Sequence, residues 1–339
     1  MERLVYIDIL KGIAIILVVM GHMFVPYTDY LDSTVNQMIY SVHMPLFIFL
    51  SGFVFHLSQG KHSVRITIMK RILSLLLPFI CFSAVYCFAN DISYSDMLLK
   101  NEIHNGYWFT LVLFEIILIS IVIEMLTKRI GGGGQNGKVA VDLILNVVLI
   151  LILLIIAKIE LIPEPYKTLF STDKVAKFYM FFQMGKFVNT YSMFGSLFKK
   201  QWVYTFCMVA YFFLFTKFGY DLQGVNAMSF ILPVCGIIVL TNMVEKNQMQ
   251  LNSHGILASI GKNSLEIYLV HFLVFSLIPK EIVDSCGSVY LQLFVLLLLS
   301  VICIIVSLAI AKFIHGSDIL NFLLFGKGPY LKKIISKMK

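Results

Sequence analysis

Runs of about 20 consecutive apolar residues recur along the whole chain, each long enough for one helix to cross a bilayer. Residues that are 59% hydrophobic and only 14% charged leave too little polar surface to wrap such runs in water. The sequence therefore predicts an integral membrane protein with an all-α fold, a polytopic bundle of about ten transmembrane helices. The spans fall near residues 5 to 25, 37 to 57, 71 to 89, 107 to 127, 139 to 159, 175 to 192, 201 to 218, 227 to 244, 256 to 278 and 288 to 312. The sixth is the least apolar, because it carries Lys177 and Lys186. The first, with Asp8 and Lys11 inside it, lacks the order of a cleavable signal peptide and is expected to be retained.

The formal charge of +8 does not point to nucleic acid, because the basic residues lie between apolar runs. With the N-terminus inside, Lys and Arg divide into about 18 cytoplasmic and about 7 external residues, which places both termini in the cytoplasm. The inner set includes Arg3, Lys61, Arg65, Lys70, Arg71, Lys128, Arg129, Lys138, Lys199, Lys200 and Lys262. Six scattered cysteines without a CxxC pair support neither a disulfide framework nor a zinc site, and no metal is expected. The segment GGGGQNGK at 131–138 lacks the GK[ST] ending of a phosphate loop and reads as a flexible linker. Residues 1–314 form the transmembrane domain on this reading, and 315–339 a basic amphipathic cytoplasmic tail suited to an anionic membrane surface.

A charge near the middle of a span costs roughly 2.5–3.5 kcal/mol on insertion scales, so ionisable residues inside the spans ask for a partner or a function. In the first span Lys11 and His22 are separated by about 16 Å along the axis yet lie within roughly 20° of one another around the helix. Asp8, one turn before Lys11, is placed to neutralise it. His43 near the outer end of the second span and His271 in the outer half of the ninth bring the imidazoles at that depth to three. A single buried histidine is most often a satisfied core residue. Three at one depth, each able to take a proton near neutral pH, suggest a reaction site.

The other histidines, His56, His62, His104, His254 and His315, fall at span ends or in loops and read as solvated or interfacial. Tyr107 and Trp108 are either interfacial belt aromatics or a stacking platform for a sugar, with Glu115 a turn or two deeper in the same span. Ser264 and Tyr268 share the side of the ninth span that carries His271, whereas Glu266 is turned about 140° away from it. Lys61, Arg65, Lys70 and Arg71 are either ordinary inner-face charges or an anion site at a helix start.

YIDILKGIAIILVVMGH in the first span, SVHMPLFIFLSGFVF in the second, KRILSLLLPF in the third, GYWFTLVLFE in the fourth and SLEIYLVHF in the ninth come in a familiar order. The chain resembles the acyltransferase-3 family of bacterial integral-membrane O-acyltransferases, the fucose 4-O-acetylase-like proteins, over nearly its whole length. The resemblance implies a ten-helix enzyme of the bacterial plasma membrane that takes an acyl group, usually acetyl, from cytoplasmic acetyl-CoA to a hydroxyl of a cell-envelope or exported polysaccharide. The family's basic residue, ten intervening residues and then His corresponds to Lys11 and His22, with Lys in the less usual role. Its paired arginines before a proline correspond to Arg71 and Ser74 ahead of Pro78, so the second arginine is missing and Lys70 is the nearest substitute. No esterase-like domain is expected after the tenth span.

The resemblance and the residues together imply a site in which Lys11, Lys70 and Arg71 hold the coenzyme. His22 then acts as general base or transient acyl carrier, with His43 and His271 beside it. Tyr107, Trp108, Glu115 and Tyr268 are the candidate contacts to the acceptor, a glycan or lipid-linked saccharide. Membrane lipid, a second copy of the chain and glycan-synthesis machinery are the remaining expected partners. The rival readings are a transporter or flippase of polysaccharide intermediates, a non-catalytic partner in a glycan synthase, and a succinyl or other acyl transferase. Transport predicts repeated halves with Gly- or Pro-broken helices, and the sequence shows neither.

Overall fold

The computed structural model describes residues 4–24, 34–58, 63–132, 134–221, 226–247, 255–279, 281–286 and 288–338. Among these there is no strand, and the long helices are α1 (Val5–Phe24), α2 (Thr34–Ser58), α3 (Val64–Ala89), α4 (Trp108–Ile130), α5 (Gln135–Lys158), α6 (Thr172–Thr190), α7 (Gln201–Phe218) and α8 (Met228–Lys246). They are followed by α9 (Ile256–Lys262), α10 (Ser264–Phe275), α11 (Val289–His315), α12 (Asp318–Phe325) and α13 (Pro329–Lys337). Seven of them, α1 to α5, α8 and α11, are long and apolar enough to cross a membrane. The protein is a helical membrane bundle. The sixth and seventh expected spans fall on α6 and α7, while the ninth is broken at Asn263 into α9 and α10. Residues 135–138, read from sequence as linker, are instead the first turn of α5.

The chain forms two compact units. The first contains the residues up to Val54 together with Gly185–Lys312, and the second contains Phe55–Met184 and Phe313–Lys339.

In the first unit α1 lies along α9 and α10, and α7 packs against α8. Pro45 sits inside α2, where it removes the donor that would otherwise bond the Ser41 carbonyl. The Ser41 hydroxyl pairs with the Tyr211 hydroxyl of α7 at 2.8 Å, which ties α2 to the α7–α8 pair. Gly185 lets α6 approach α2 closely, since a β-carbon there would stand 2.8 Å from the Phe53 amide nitrogen, and Asn189 donates to the Phe53 carbonyl at 2.8 Å.

In the second unit α3 widens into a π-type turn over Ile72–Leu76. Pro78, which has no N–H and whose ring crowds the carbonyl of Ser74, explains why the helix loosens there. Polar side chains join α4, α5 and α6 through the apolar interior. Asn146 donates to the Asp142 carboxylate at 2.9 Å and accepts from the Tyr179 hydroxyl at 2.7 Å, and Gln183 donates to Ser120 at 2.8 Å. Such bonds hold helices together where the hydrophobic effect between lipid-solvated surfaces cannot. The C-terminal segment returns to the same unit, where Phe325 is buried and stacks on Phe82 of α3 with ring centroids 5.8 Å apart.

Candidate active site

Two glycines place the central residues. A β-carbon at Gly12 of α1 would overlap the Leu257 carbonyl oxygen, and one at Gly261 of α9 would overlap the Asp8 carbonyl oxygen and stand 2.8 Å from the Gly12 amide nitrogen. The two backbones touch at this point, which only glycine on both sides permits. His22 is ten residues beyond Gly12 on α1, and His271 is ten residues beyond Gly261, past the break at Asn263 and on α10. Their ring centroids are 5.4 Å apart at an interplanar angle of 33°. Phe272 packs against both, 4.7 Å from His22 and 4.1 Å from His271. His43 comes from α2 into electrostatic reach of His22, so the three histidines that the sequence singled out are gathered in one unit.

Hydrogen bonds fix two of the three rings. His271 Nδ1 donates to the Tyr268 carbonyl at 2.7 Å, with a longer contact of 3.2 Å to that of Ile267. His43 Nδ1 donates to the Ile39 carbonyl at 2.7 Å, and its ring meets that of Tyr40 edge-on at 4.7 Å. A carbonyl can only accept, so the proton in each case is on Nδ1 and Nε2 is left to exchange protons. His271 Nε2 is buried and has no hydrogen-bond partner among the described residues. His43 and His271 are buried, 2% and 1% exposed, whereas His22 is only half-buried and is the accessible member of the group. Lys11 is half-buried and Asp8, one turn earlier, is buried. Tyr268 and Glu266 are both buried on α10. No group of three His, Cys, Asp or Glu side chains among the described residues is placed to hold a metal ion.

The remaining candidates belong to the second unit. Lys70 and Arg71 end the first turns of α3, directly before the wide turn, and both are half-buried. Tyr107 is wholly buried against Phe82 and Tyr86, so it packs rather than offering a face to a sugar. Trp108 has one face stacked on Phe178 at 5.2 Å, and the Lys174 ammonium lies 5.8 Å from its ring centroid. Glu115 lies in the wall of an apolar groove, with both carboxyl oxygens shut away from it. Lys61, His62 and His254 lie outside the described residues, as does the His56 side chain.

One expectation is overturned. His104, read from sequence as solvated or interfacial, is fully buried, with its edge on Phe79 and its Nδ1 3.4 Å from the Ser171 hydroxyl. Burial, helped by the Lys174 ammonium, pushes its pKa down to about 4. The loop sequence gives no apolar periodicity from which burial could be read. Asp142 and Asn146 were also overlooked, although an acid within the fifth span carries its own warning. Phe272, Gly12 and Gly261 were hidden for a different reason: nothing in a list of apolar or small residues says which of them meet.

A family model described as an acyltransferase domain, that of the acyltransferase-3 family, matches residues 4–313. The chain belongs to this family. Comparison with curated proteins and with solved structures finds no match. The matched region runs through both units and includes every candidate residue above. The protein is accordingly a membrane acyltransferase, and the transport reading is set aside.

Proposed function

We propose that this acyltransferase moves an acetyl group from cytoplasmic acetyl-CoA to a hydroxyl of a cell-envelope or exported polysaccharide, across the plasma membrane of a bacterium. The observation that carries the reading is the meeting of His22 with His271, whose Nε2 is buried and unpartnered. In the proposed step His22 takes the proton of the acceptor hydroxyl as that oxygen attacks the thioester carbonyl. The C–O bond forms, the C–S bond breaks, and the proton that His22 took from the hydroxyl passes to the departing sulfur, which leaves as the free thiol. His271 and His43, whose ring protons sit on Nδ1, offer Nε2 as acceptors that orient the attacking hydroxyl beside His22. Lys11, about three helical turns from His22 on the same face, serves the donor. Lys70 and Arg71 are proposed, separately from the histidines, as an anion site for the coenzyme's phosphates.

The family resemblance supports acetyl over succinyl as the acyl group. The test is to incubate the purified protein in nanodiscs with radiolabelled acetyl-CoA and envelope glycan. Wild type should label the glycan, and His22→Ala should lose about 10²–10⁴-fold in rate, the range of a general base. Transfer that persists in His22→Ala removes this residue from the chemistry. Loss of ester-linked acetate from the envelope of a deletion strain tests the acceptor class, and labelling by succinyl-CoA alone would replace the donor.

A further inference from the structure

Acyl transfer places negative charge on the thioester carbonyl oxygen as the acceptor attacks, and a hydrogen-bond donor aimed at that oxygen lowers the barrier. The three imidazoles have no donor to spare at that moment. The Nδ1 protons of His271 and His43 are committed to the carbonyls of Tyr268 and Ile39, and His22 must start neutral to act as a base. Lys11 stands about 16 Å from His22 along α1, too far to reach the same atom.

Tyr40 is placed to fill this gap. It lies three residues before His43 on α2, so the two share a face, and their rings meet edge-on with centroids 4.7 Å apart. From there the ring crosses to α1. A β-carbon at Gly21, the residue next to His22, would stand 3.1 Å from Tyr40 Cε2 and 3.7 Å from Cδ2. Cε2 adjoins the carbon that bears the hydroxyl, so the hydroxyl end of the ring is the end that reaches α1. The missing side chain at Gly21 is what lets the ring lie this close to the backbone beside His22.

Exposure separates Tyr40 from its neighbours. His43, His271 and Tyr268 are buried, whereas His22 and Tyr40 are half-buried. The Tyr40 hydroxyl has no hydrogen-bond partner among the described residues, and it is not one of the polar atoms closed off inside the fold. An open phenol with no bond to break can turn its O–H to a new acceptor. The accessible groups of the cluster are thus a base and a donor, the two that the step requires.

We propose that Tyr40 is a catalytic residue of the acyl transfer, its hydroxyl donating a hydrogen bond to the thioester carbonyl oxygen as the tetrahedral intermediate forms. This assignment rests on the acetyl-transfer reading above. The phenol keeps its own proton throughout, so the proton of the acceptor hydroxyl still travels through His22 to the sulfur.

Tyr40→Phe removes the hydroxyl and keeps the ring. With purified protein in nanodiscs, radiolabelled acetyl-CoA and envelope glycan, it should lower kcat about 10²–10³-fold, the effect of losing one oxyanion donor, with KM for either substrate changed by no more than about twofold. Replacing Tyr40 by 3-fluorotyrosine, whose phenol is more acidic yet still largely protonated at neutral pH, should give a rate at or above that of wild type, since a stronger donor stabilises the oxyanion more. A rate that falls as the phenol becomes more acidic would overturn the assignment. A raised KM for the glycan with kcat unchanged would also overturn it, by making Tyr40 an acceptor contact. Tyr40→Phe at wild-type rate beside an inactive His22→Ala would remove Tyr40 alone and leave acetyl transfer standing, whereas a wild type that transfers no acetyl would remove both.

Discussion

Replacing Gly261 by alanine tests how the two key helices are held. The added carbon would fall 2.8 Å from the Gly12 amide nitrogen and 2.7 Å from the Asp8 carbonyl carbon, and would overlap the Asp8 carbonyl oxygen outright. Every one of these atoms is backbone, so no side chain can turn aside and α1 must move away from α9. Overpacking of this kind costs about 1–3 kcal/mol. The apparent Tm should therefore fall by roughly 2–10 °C, using the shift per kcal/mol typical of chains this long or somewhat shorter. The larger effect is on rate. His22 lies further along α1 and His271 on α10, which follows α9 directly, and a displacement of about 1 Å at a reacting centre can cost on the order of 10²-fold. Acetyl transfer in nanodiscs and scanning fluorimetry on the same samples would measure both. Gly134→Ala is the control, since a β-carbon there meets nothing within 4 Å. If Gly261→Ala kept wild-type rate and Tm, the close approach of α1 and α9 would not be what positions the imidazoles.

Three further outcomes follow from the second unit. His104 has a folded pKa of about 4 against 6.5 for the free side chain, so between these values the unfolded state binds more protons and stability falls as pH drops. The loss at pH 5 is at most about 2 kcal/mol, and His104→Asn should flatten the fall in Tm between pH 7.5 and pH 5; an identical fall in both proteins would refute the burial argument. Asn146→Leu leaves Asp142 and Tyr179 each short of a partner and should destabilise by about 1–2 kcal/mol, more than Tyr179→Phe does, as judged by thermal unfolding in nanodiscs. Arg71→Ala should raise KM for acetyl-CoA about tenfold with little change in kcat, the signature of lost ground-state binding, and a fall in kcat alone would reassign the residue.

The helical class and most spans were legible because apolar runs of bilayer length have few other folds available. The three imidazoles were also legible, from depth alone, since a polar group within a span is expensive wherever the helix packs. Their grouping was not, because depth says nothing about neighbours. What joins His22 to His271 is a pair of glycines whose role exists only once α1 and α9 touch. The break at Asn263 did leave a trace, Gly261-Lys262-Asn263-Ser264, but apolar residues on both sides of it read as one span of bilayer length. His104 misled in the opposite direction, since a histidine in a polar loop reads as solvated until the loop is seen folded under Phe79. Tyr107 likewise looks like an interfacial aromatic by position but is enclosed by Phe82 and Tyr86.

Whether the paired imidazoles work as one catalytic unit is open to a double-mutant cycle on the transfer rate. His22→Ala, His271→Ala and the double variant would be compared with wild type under single-turnover conditions. Rings 5.4 Å apart that share one reaction should show strong coupling, with the double variant little slower than the worse single one. Losses that simply multiply would mean that the two histidines act independently, and the account of the site would be wrong.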